Sequence, residues 1–483
     1  MNTKLLKQKI LDLAIRGKLT QQLKSDGTAA DLLKEISDAK SALSQPKGKK
    51  SKNPEQIIPL DKSEAPFEIP ANWEWVCVDS IASLITDGEH LTPRRVESFE
   101  GYYLLSARNI QDDEILLNDV DYVDEDEYNR IAKRCNPRKN DVLISCSGSI
   151  GRVTVVKDDN KYVMVRSAAM IRPVFVHSCY LMYVLQSNCL QSQIQNYSKQ
   201  TAQANLFQAA IRALQFPLPP LAEQRRIVEK IQDAFAEIDS IENNKELLKA
   251  HIKQARQKIL DLAIHGKLVP QNKTDEPASV LLERITRDNP HYEKLTDVPF
   301  EIPDSWEWVK LGNICTISSA KRVLKEDWKE TGIPFYRARE IAQLANGEIV
   351  KDDLFITKEL YESLKDLYGV PQTGDILMSA VGTIGKTYIV NKDDCFYYKD
   401  ASVICLKKKH ADISSKYLKM LFSSNYLQKQ MFANSNGTTV DTITISVAQG
   451  YTIPLPPLAE QKRIVNKIEE IFASLDEISL HLV

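Results

Sequence analysis

The chain has 483 residues, 43% hydrophobic and 27% charged, with a formal net charge of −2 at pH 7. That length allows two or three domains with ordinary cores, and the balanced charge excludes a global attraction to nucleic acid, so any such contact must come from local patches. No apolar run reaches the roughly 18 residues of a membrane span, and the opening MNTKLLKQKI lacks the apolar region of a secretory signal, so a cytoplasmic protein is expected.

In chain order, residues 1–36 read as a helical region, with Leu6, Ile10 and Leu13 at helical spacing and the block KILDLAIRGKL at 9–19. A polar linker over 37–66 follows, with ALSQPKGKKSKNP at 42–54. FEIPANWEWV (67–76) opens a segment that runs to 216. In it WEWVCVDSIASLI, YYLLSARNI, NDVLISCSGSIGRVTVV and YVMVRSAAMIRPV are strand-rich, whereas CYLMYVLQSNCLQSQIQNY is helical. PLPPLAEQRRIV (217–228) leads into a long central helix, assigned with its preceding block to 217–268. After a second linker (269–299), FEIPDSWEWV (300–309) opens a segment to 453 in which GDILMSAVGTIGKTYIV, FYYKDASVICLKK and KYLKMLFSSNYLQKQMF follow in the same order. PLPPLAEQKRIV (454–465) begins a closing helix over 454–483.

The chain is two copies of one unit. The two PLPPLAEQ blocks match at 11 of 12 positions, and the spacing between copies is 249 residues for KILDLAI, 233 for FEIP and 237 for PLPP. A repeat this long is no solenoid module, so each copy holds a domain with its own core. The change in spacing leaves 16 extra residues in the first linker. Between FEIP and PLPP the copies diverge almost completely, so constant frames enclose two variable interiors.

The central helix carries an apolar seam. With heptad position a at Ile231, Ile238, Ile252 and Ile259 share position a while Ala234, Ile241, Leu248, Ala255 and Leu262 fall at d, broken only by Lys245 at a. A helix from Leu221 to about Leu268 would be on the order of 65 Å long. The first and last helices together are a permuted copy of it, the last through Ile464, Ile468, Ile471, Leu475, Ile478 and Leu482, and are the expected partners of the seam. The fold class expected is therefore α/β (α+β). Two similar mixed α/β domains would be joined by long antiparallel coiled-coil helices, with a circularly permuted repeat and a pseudo-two-fold axis.

The eight cysteines (Cys77, Cys135, Cys146, Cys179, Cys189, Cys315, Cys395, Cys405) show no CxxC pairing and read as buried thiols. VGTIGKT imitates a phosphate-binding P-loop, but that motif needs glycine where Ala380 stands, and the first copy has Arg152-Val153 at the corresponding end. No dinucleotide fingerprint, metal-ligand cluster, HExxH, GxSxG elbow or [DNS]PP[YF] tetrapeptide is present, so the chain reads as non-catalytic. The best-kept pieces of the interiors are loops, SGSIGR (147–152) against VGTIGK (381–386) and SARN (106–109) against RARE (337–340). A GxIG sequence followed by a cation is either a hairpin turn or a place where amides and a cation approach an anion.

The paired PLPPLAEQ-[RK]-RIV blocks, the P-x-x-WEWV segments, DGEHLTP at 87–93 and the paired GxIG-[RK] loops closely resemble the specificity subunit of type I restriction-modification systems, over essentially the whole chain. The resemblance implies a DNA-reading subunit without an active site, of bacterial or archaeal origin, whose two target recognition domains each read half of a split sequence in double-stranded DNA. It further implies two methyltransferase subunits, which bind S-adenosylmethionine and methylate adenine N6, and two restriction subunits, which use ATP and magnesium. No cofactor is implied in this chain itself. The second copy has SSAKRVLKED where the first has DGEHLTP, so contacts made there cannot be transferred.

Within that reading the candidate DNA-binding cations are Arg94, Arg95, Arg108, Arg152, Arg166 and Lys199 in the first domain, with Lys321, Arg322, Arg337, Arg339, Lys386 and Lys399 in the second. The equivalent pairs Arg152/Lys386 and Arg166/Lys399 suit phosphates, because shared chemistry suits a shared backbone. Positions that differ suit base edges: Ser106 against Arg337, and the loops SKQTAQAN (198–205) and SNGTTVDT (435–442). For any single cation the competing reading is a solvated surface charge. The alternatives for the whole chain are a two-domain DNA-binding scaffold or regulator unconnected to methylation, and an enzyme that acts on DNA by itself.

Overall fold

The computed structural model describes residues 2–43, 65–98, 101–199, 204–287, 292, 294–351, 353–433 and 441–482. The linker sequence 44–54 lies outside them, as do most of the two polar loops, at 200–203 and 435–440. The chain forms two units, Met1–Asn244 and Lys245–Val483.

In the first unit, strands Ala82–Asp87, Ala168–Pro173, Val142–Ser145 and Val153–Val155 form a four-stranded antiparallel sheet in that order. The second unit repeats it with Cys315–Ser319, Val403–Lys408, Ile376–Ser379 and Thr387–Ile389. Period-two alternation gives each central strand two jobs. Val142 and Ile144 face a core shared with the helices, while Leu143 faces a second core with Tyr162 and Met164. Ile376 and Met378 are divided from Leu377 in the same way. Beside this sheet each unit has a three-stranded one, Asp121–Tyr122, Tyr102–Leu105 and Lys161–Met164 in the first, and Phe355–Ile356, Ile333–Tyr336 and Tyr397–Tyr398 in the second. Both units are mixed α/β.

The constant blocks pair with each other. Trp75 lies opposite Pro217 in an antiparallel pair that joins Glu74–Cys77 to Gln215–Leu218, and Trp308 lies opposite Pro454 in the same arrangement. Just past that pair, the motif glutamate Glu223 is 0% exposed. It accepts hydrogen bonds from Trp73 Nε1 at 2.9 Å, Gln22 Nε2 at 2.9 Å and Thr20 Oγ1 at 3.1 Å. Glu460 repeats this with Trp306 Nε1 at 2.8 Å and Gln271 Nε2 at 2.5 Å. The next residue, Gln224, accepts from His177 N at 2.8 Å and donates to Pro219 O at 2.9 Å; Gln461 does so with Ser414 N and Pro456 O, both at 2.9 Å. Arg226 on Asp26 and Arg463 on Asp275, each at 2.6 Å, complete the set. The glycine in RGKL and HGKL is needed for close approach. Gly17 and Gly266 have positive φ, and a Cβ there would lie 2.3 Å from Pro70 Cγ or 2.4 Å from Pro303 Cγ.

Two helical assignments change. The stretch CYLMYVLQSNCLQSQIQNY is two helices, Ser178–Gln186 and Asn188–Ser198, because Ser187 adopts extended backbone and its side chain caps the second; Ser424 divides Ser415–Ser423 from Asn425–Ala433 likewise. Both linkers also carry helix: Ala29–Leu43 runs beyond residue 36, and Ala278–Thr286 lies within 269–299. Leu32, Leu33 and Ile36, and likewise Leu281 and Leu282, are buried in the cores, so these segments pack rather than merely connect.

The central helix is Leu221–Ile264. In the first unit the helix Thr3–Ile15 runs antiparallel to it, since Lys7 meets Asp239 at 2.5 Å while Thr20, beyond that helix, meets Glu223. In the second unit Leu458–Leu480 does the same, with Arg256 on Asp476 at 2.5 Å. Each cation also covers a ring, Lys7 over Phe235 and Arg256 over Phe472. The seam is only partly covered. Ile231, Ile238 and Ile252 are buried, but Ile241 is 51% and Leu248 39% exposed, because each partner helix ends about one turn beyond its clamp.

The cysteines are unpaired thiols, and burial pushes Cys135, Cys146, Cys315 and Cys405 up to about 12. Cys395 departs from the buried-thiol expectation, being exposed.

Replacing Glu223 or Glu460 with alanine strands a buried indole N–H and a glutamine amide, and should cost about 3 kcal/mol. Trp73→Phe, which removes only one donor, should cost about half of that. Chemical denaturation of the parent and all three variants, followed by far-ultraviolet circular dichroism, checks the ordering.

Candidate nucleic-acid interface

Backbone hydrogen bonds gather the first domain's loops at one end of its four-stranded sheet. Gly88 N donates to Ala168 O, Ala107 N to Ser167 Oγ, Cys146 N to Ser167 O, and Leu206 N to Cys146 O, at 2.8 to 3.0 Å. The segment around Ser167 thus brings together the loops that carry Arg94, Arg95, Arg108, Arg152 and Arg166. Lys199 ends the helix Asn188–Ser198, and these bonds do not include it. In the second domain Lys399 N donates to Tyr336 O, Ala401 N to Ser319 Oγ, Ala380 N to Ser402 O, and Lys321 N to Tyr397 Oη, which gathers Lys321, Arg322, Arg337, Arg339, Lys386 and Lys399.

The GxIG loops are β-hairpin turns. Ser145 Oγ donates to Ser149 O at 2.6 Å and accepts from Arg152 N at 2.9 Å, while Gly151 N donates to Ser145 O at 2.9 Å. Ser379 makes the same three bonds with Thr383, Lys386 and Gly385. The amides of Gly151 and Arg152, and those of Gly385 and Lys386, are consumed inside the turn. It projects the side chains of Arg152 and Lys386. Gly151 and Gly385 have positive φ, and a Cβ at Gly151 would meet Gln191 Oε1 at 2.7 Å.

The cations differ in how they are held. Arg94 pairs with Asp124, Arg95 with Asp121 at 2.9 Å, and Arg108 with Asp121 at 3.0 Å, all partly exposed. In the second domain, Arg337 and Arg339 both bind Glu340 and Asp353 at 2.6 to 3.0 Å. Lys321 stands over the Tyr368 ring and Lys399 over Trp328. Arg322 and Lys386 have no side-chain partner among the described residues. Ser106 binds Asn109, which in turn donates to Leu116 O and Asp119 O, so at the SARN/RARE position one copy uses an amide and the other a buried Glu340 to brace the turn.

Two arginines absent from the sequence-derived set belong to this face. Arg130 binds Glu89 at 2.8 Å and Glu127 at 2.9 Å, and Arg134 binds Asp87 at 2.5 Å and Gly88 O at 3.2 Å. The signal was DGEH: Asp87 also receives His90 Nε2 at 2.7 Å, and Glu89 Oε1 receives the amides of His90 and Leu91 at 2.8 and 2.9 Å. The amide of Leu91 is the main cause that holds Glu89 below its ordinary 4.5. Burial works to raise Asp87, but Arg134, His90 and Gln208 outweigh it and hold it below 3.8. Gly88 is forced by close packing, since a Cβ would meet Met164 O at 2.3 Å.

A depressed carboxylate stabilises the fold above its unfolded value and loses that contribution as pH falls through its folded value. Glu89→Gln should therefore lower stability by about 1 to 2 kcal/mol at pH 7 through its lost charge-assisted bonds. The gap to the unsubstituted protein should narrow progressively as pH falls below the ordinary glutamate value of 4.5. Urea denaturation at pH 7, 5 and 3.5 measures it.

A family model described as type I restriction modification DNA specificity domain matches residues 70–250 and again 303–480. The EcoAI specificity subunit of a type I restriction enzyme from Escherichia coli is 25% identical over 98% of this chain and 90% of its own length. The EcoEI specificity subunit, from the same species, is 24% identical over 99% and 90%. The crystal structure of an HsdS subunit from Thermoanaerobacter tengcongensis shares the fold with a TM-score of 0.53 at 17% identity, over 87% of this chain and 94% of that one.

Proposed function

Since this chain belongs to the type I restriction modification DNA specificity family, we propose that its two variable domains each read one half of a split DNA target. The observation that carries this reading is the doubled frame. Trp73–Glu223 and Trp306–Glu460 hold two domains of the same topology but divergent loops, the arrangement expected where a common scaffold presents two different reading surfaces.

On this reading Arg152/Lys386 and Arg166/Lys399 meet phosphates, which set register without carrying sequence information. Arg94, Arg95, Arg108, Arg130 and Arg134 in the first domain, with Lys321, Arg322, Arg337 and Arg339 in the second, lie on the reading face. Lys199, which caps the helix Asn188–Ser198 and belongs to the polar loop 198–205, extends it. The chain is the non-catalytic member of its complex and positions methyltransferase subunits, which supply S-adenosylmethionine chemistry at adenine, and restriction subunits, which use ATP and magnesium. Two copies of each and a cytoplasmic setting follow from the same resemblance. The scaffold alternative has no observation of its own in its favour.

The purified chain should transfer no methyl group, cut no DNA and hydrolyse no ATP. Adding the cognate methyltransferase subunit should produce adenine methylation, read by labelled methyl transfer. Stoichiometric turnover by the chain alone would overturn the non-catalytic assignment. Exchanging residues of about 70 to 215 for those of a relative should alter one half of the methylated sequence and leave the other unchanged, as methylome sequencing would report. A change in both halves would show that the domains do not read independently.

A further inference from the structure

Both units build the same corner between the four-stranded sheet and the frame. Ser178 Oγ donates to Asn140 O and Ser415 Oγ to Gly374 O, while the hydroxyls of Tyr180 and Tyr417 reach Pro217 O and Pro454 O. In the second unit this corner holds a cleft of about 600 Å³, at the end of the strand Val403–Lys408 that lies away from Ser402 and the candidate reading loops. Four lysines line it, Lys408, Lys416, Lys419 and Lys462.

The first unit keeps the corner but not the charges. Lys408 lies opposite Cys315, the first residue of its edge strand, where the first unit sets Pro173 opposite Ala82. Counted from the paired Ser178 and Ser415, Cys179 and Met182 stand in place of Lys416 and Lys419, and the PLPPLAEQ blocks align Arg225 with Lys462. One scaffold thus carries a lysine cleft in one copy alone. A surface for two like partners would recur in both copies, whereas a site present once per chain fits a ligand bound once.

Most of these charges are unopposed. Asp412, the one carboxylate lining the cleft, is already held by Arg284 at 3.2 Å and His410 at 3.3 Å, and Lys416 is held by Glu469 at 2.8 Å. Lys408, Lys419 and Lys462 have no acidic partner among the described residues. Lys419 is half-buried, and burial pushes it below its ordinary 10.5 with no carboxylate beside it to oppose the shift. An ammonium group withdrawn from water without a counter-charge is costly, and an anion in the cleft would remove that cost.

The cleft also has the size and walls of a small-molecule site. Its volume falls within the roughly 300 to 1,000 Å³ usual for such sites, and Leu344, Tyr388, Ile389 and Leu458 give it a partly exposed apolar wall. Lysines act as compact point charges and suit phosphate. A single phosphate carries about −1.5 to −2 at neutral pH, less than three unopposed ammonium groups, so two phosphates match better. We propose that this cleft binds a diphosphate-bearing small molecule, with the lysines on the phosphates and the apolar wall against the group that carries them. The inference does not rest on the DNA-recognition reading.

The test is titration calorimetry of the full chain in about 0.15 M salt, with pyrophosphate and with ADP. Each should bind once per chain. Pyrophosphate that binds as tightly as ADP assigns recognition to the phosphates alone, and tighter ADP adds the apolar wall. Lys419→Met should weaken binding about tenfold or more, as should Lys408→Gln combined with Lys462→Gln, while Arg225→Gln in the first unit changes nothing. Lys462 is exposed and Lys408 partly so, and their double variant keeps the test open if Lys419→Met misfolds. Assembled with the cognate methyltransferase subunit, the lysine variants should modify the same DNA sequence as the parent. No saturable binding of either anion, or binding that the lysine variants leave intact, would overturn the inference. So would displacement of ADP by a glutamate-rich peptide, which would make the cleft a protein-docking surface, or an altered methylated sequence, which would put these lysines on DNA.

Discussion

The structure depends on a buried carboxylate with assigned partners. Glu223 and Glu460 sit at the start of the long helices with almost no access to water, a costly place for a carboxylate unless its oxygens are satisfied. An indole from the WEW block and a glutamine from the segment after KILDLAI satisfy them, so three constant blocks distant in sequence meet at one side chain. The neighbouring glutamine reaches the first turn of a helix in the variable domain. Frame and reader are thereby joined through two consecutive residues of one motif.

This junction explains why the motif recurs almost unchanged in the two copies while the interiors diverge. PLPPLAEQ is used almost residue by residue: Pro217 O and Pro454 O accept the hydroxyls of Tyr180 and Tyr417, the following prolines accept the motif glutamine, and Glu and Gln divide their bonds between frame and domain. At the other end of the sheet the GxIG hairpins keep a common bracing, whereas the SARN and RARE turns are held by different side chains, Asn109 in one copy and Glu340 in the other, and this freedom allows the two surfaces to differ.

Much of this was legible in the sequence. The repeat blocks, the strand-rich runs and the helical character of the frames follow from periodicity and recurrence, and the paired GxIG loops turned out to be hairpins, one of their two readings. Partnerships were not legible, because Trp73 and Glu223 are 150 residues apart and no local pattern links them. The heptad count overreached at Ile241 and Leu248, since a seam shows what a helix could bury but not where its partner stops. Ser187 and Ser424 were hidden inside apolar stretches whose period suits one helix as well as two. Arg130 and Arg134 drew no notice in the sequence because their place beside the DGEH loop is set by Asp87 and Glu89, more than 40 residues away.

If Arg94, Arg95 and Arg108 meet DNA as proposed, the carboxylates that hold them have a kinetic consequence. Asp121 and Asp124 already occupy Arg94, Arg95 and Arg108, so a phosphate that approaches them replaces an existing partner and does not fill a vacancy. They behave as an internal competitor that discounts every weak encounter equally. A duplex that offers only its backbone gains little and departs quickly, whereas one whose bases also fit can complete the exchange. On the proposed reading, selectivity in this domain is expressed partly as a short dwell time on wrong sequences, set by acidic residues that need never touch DNA.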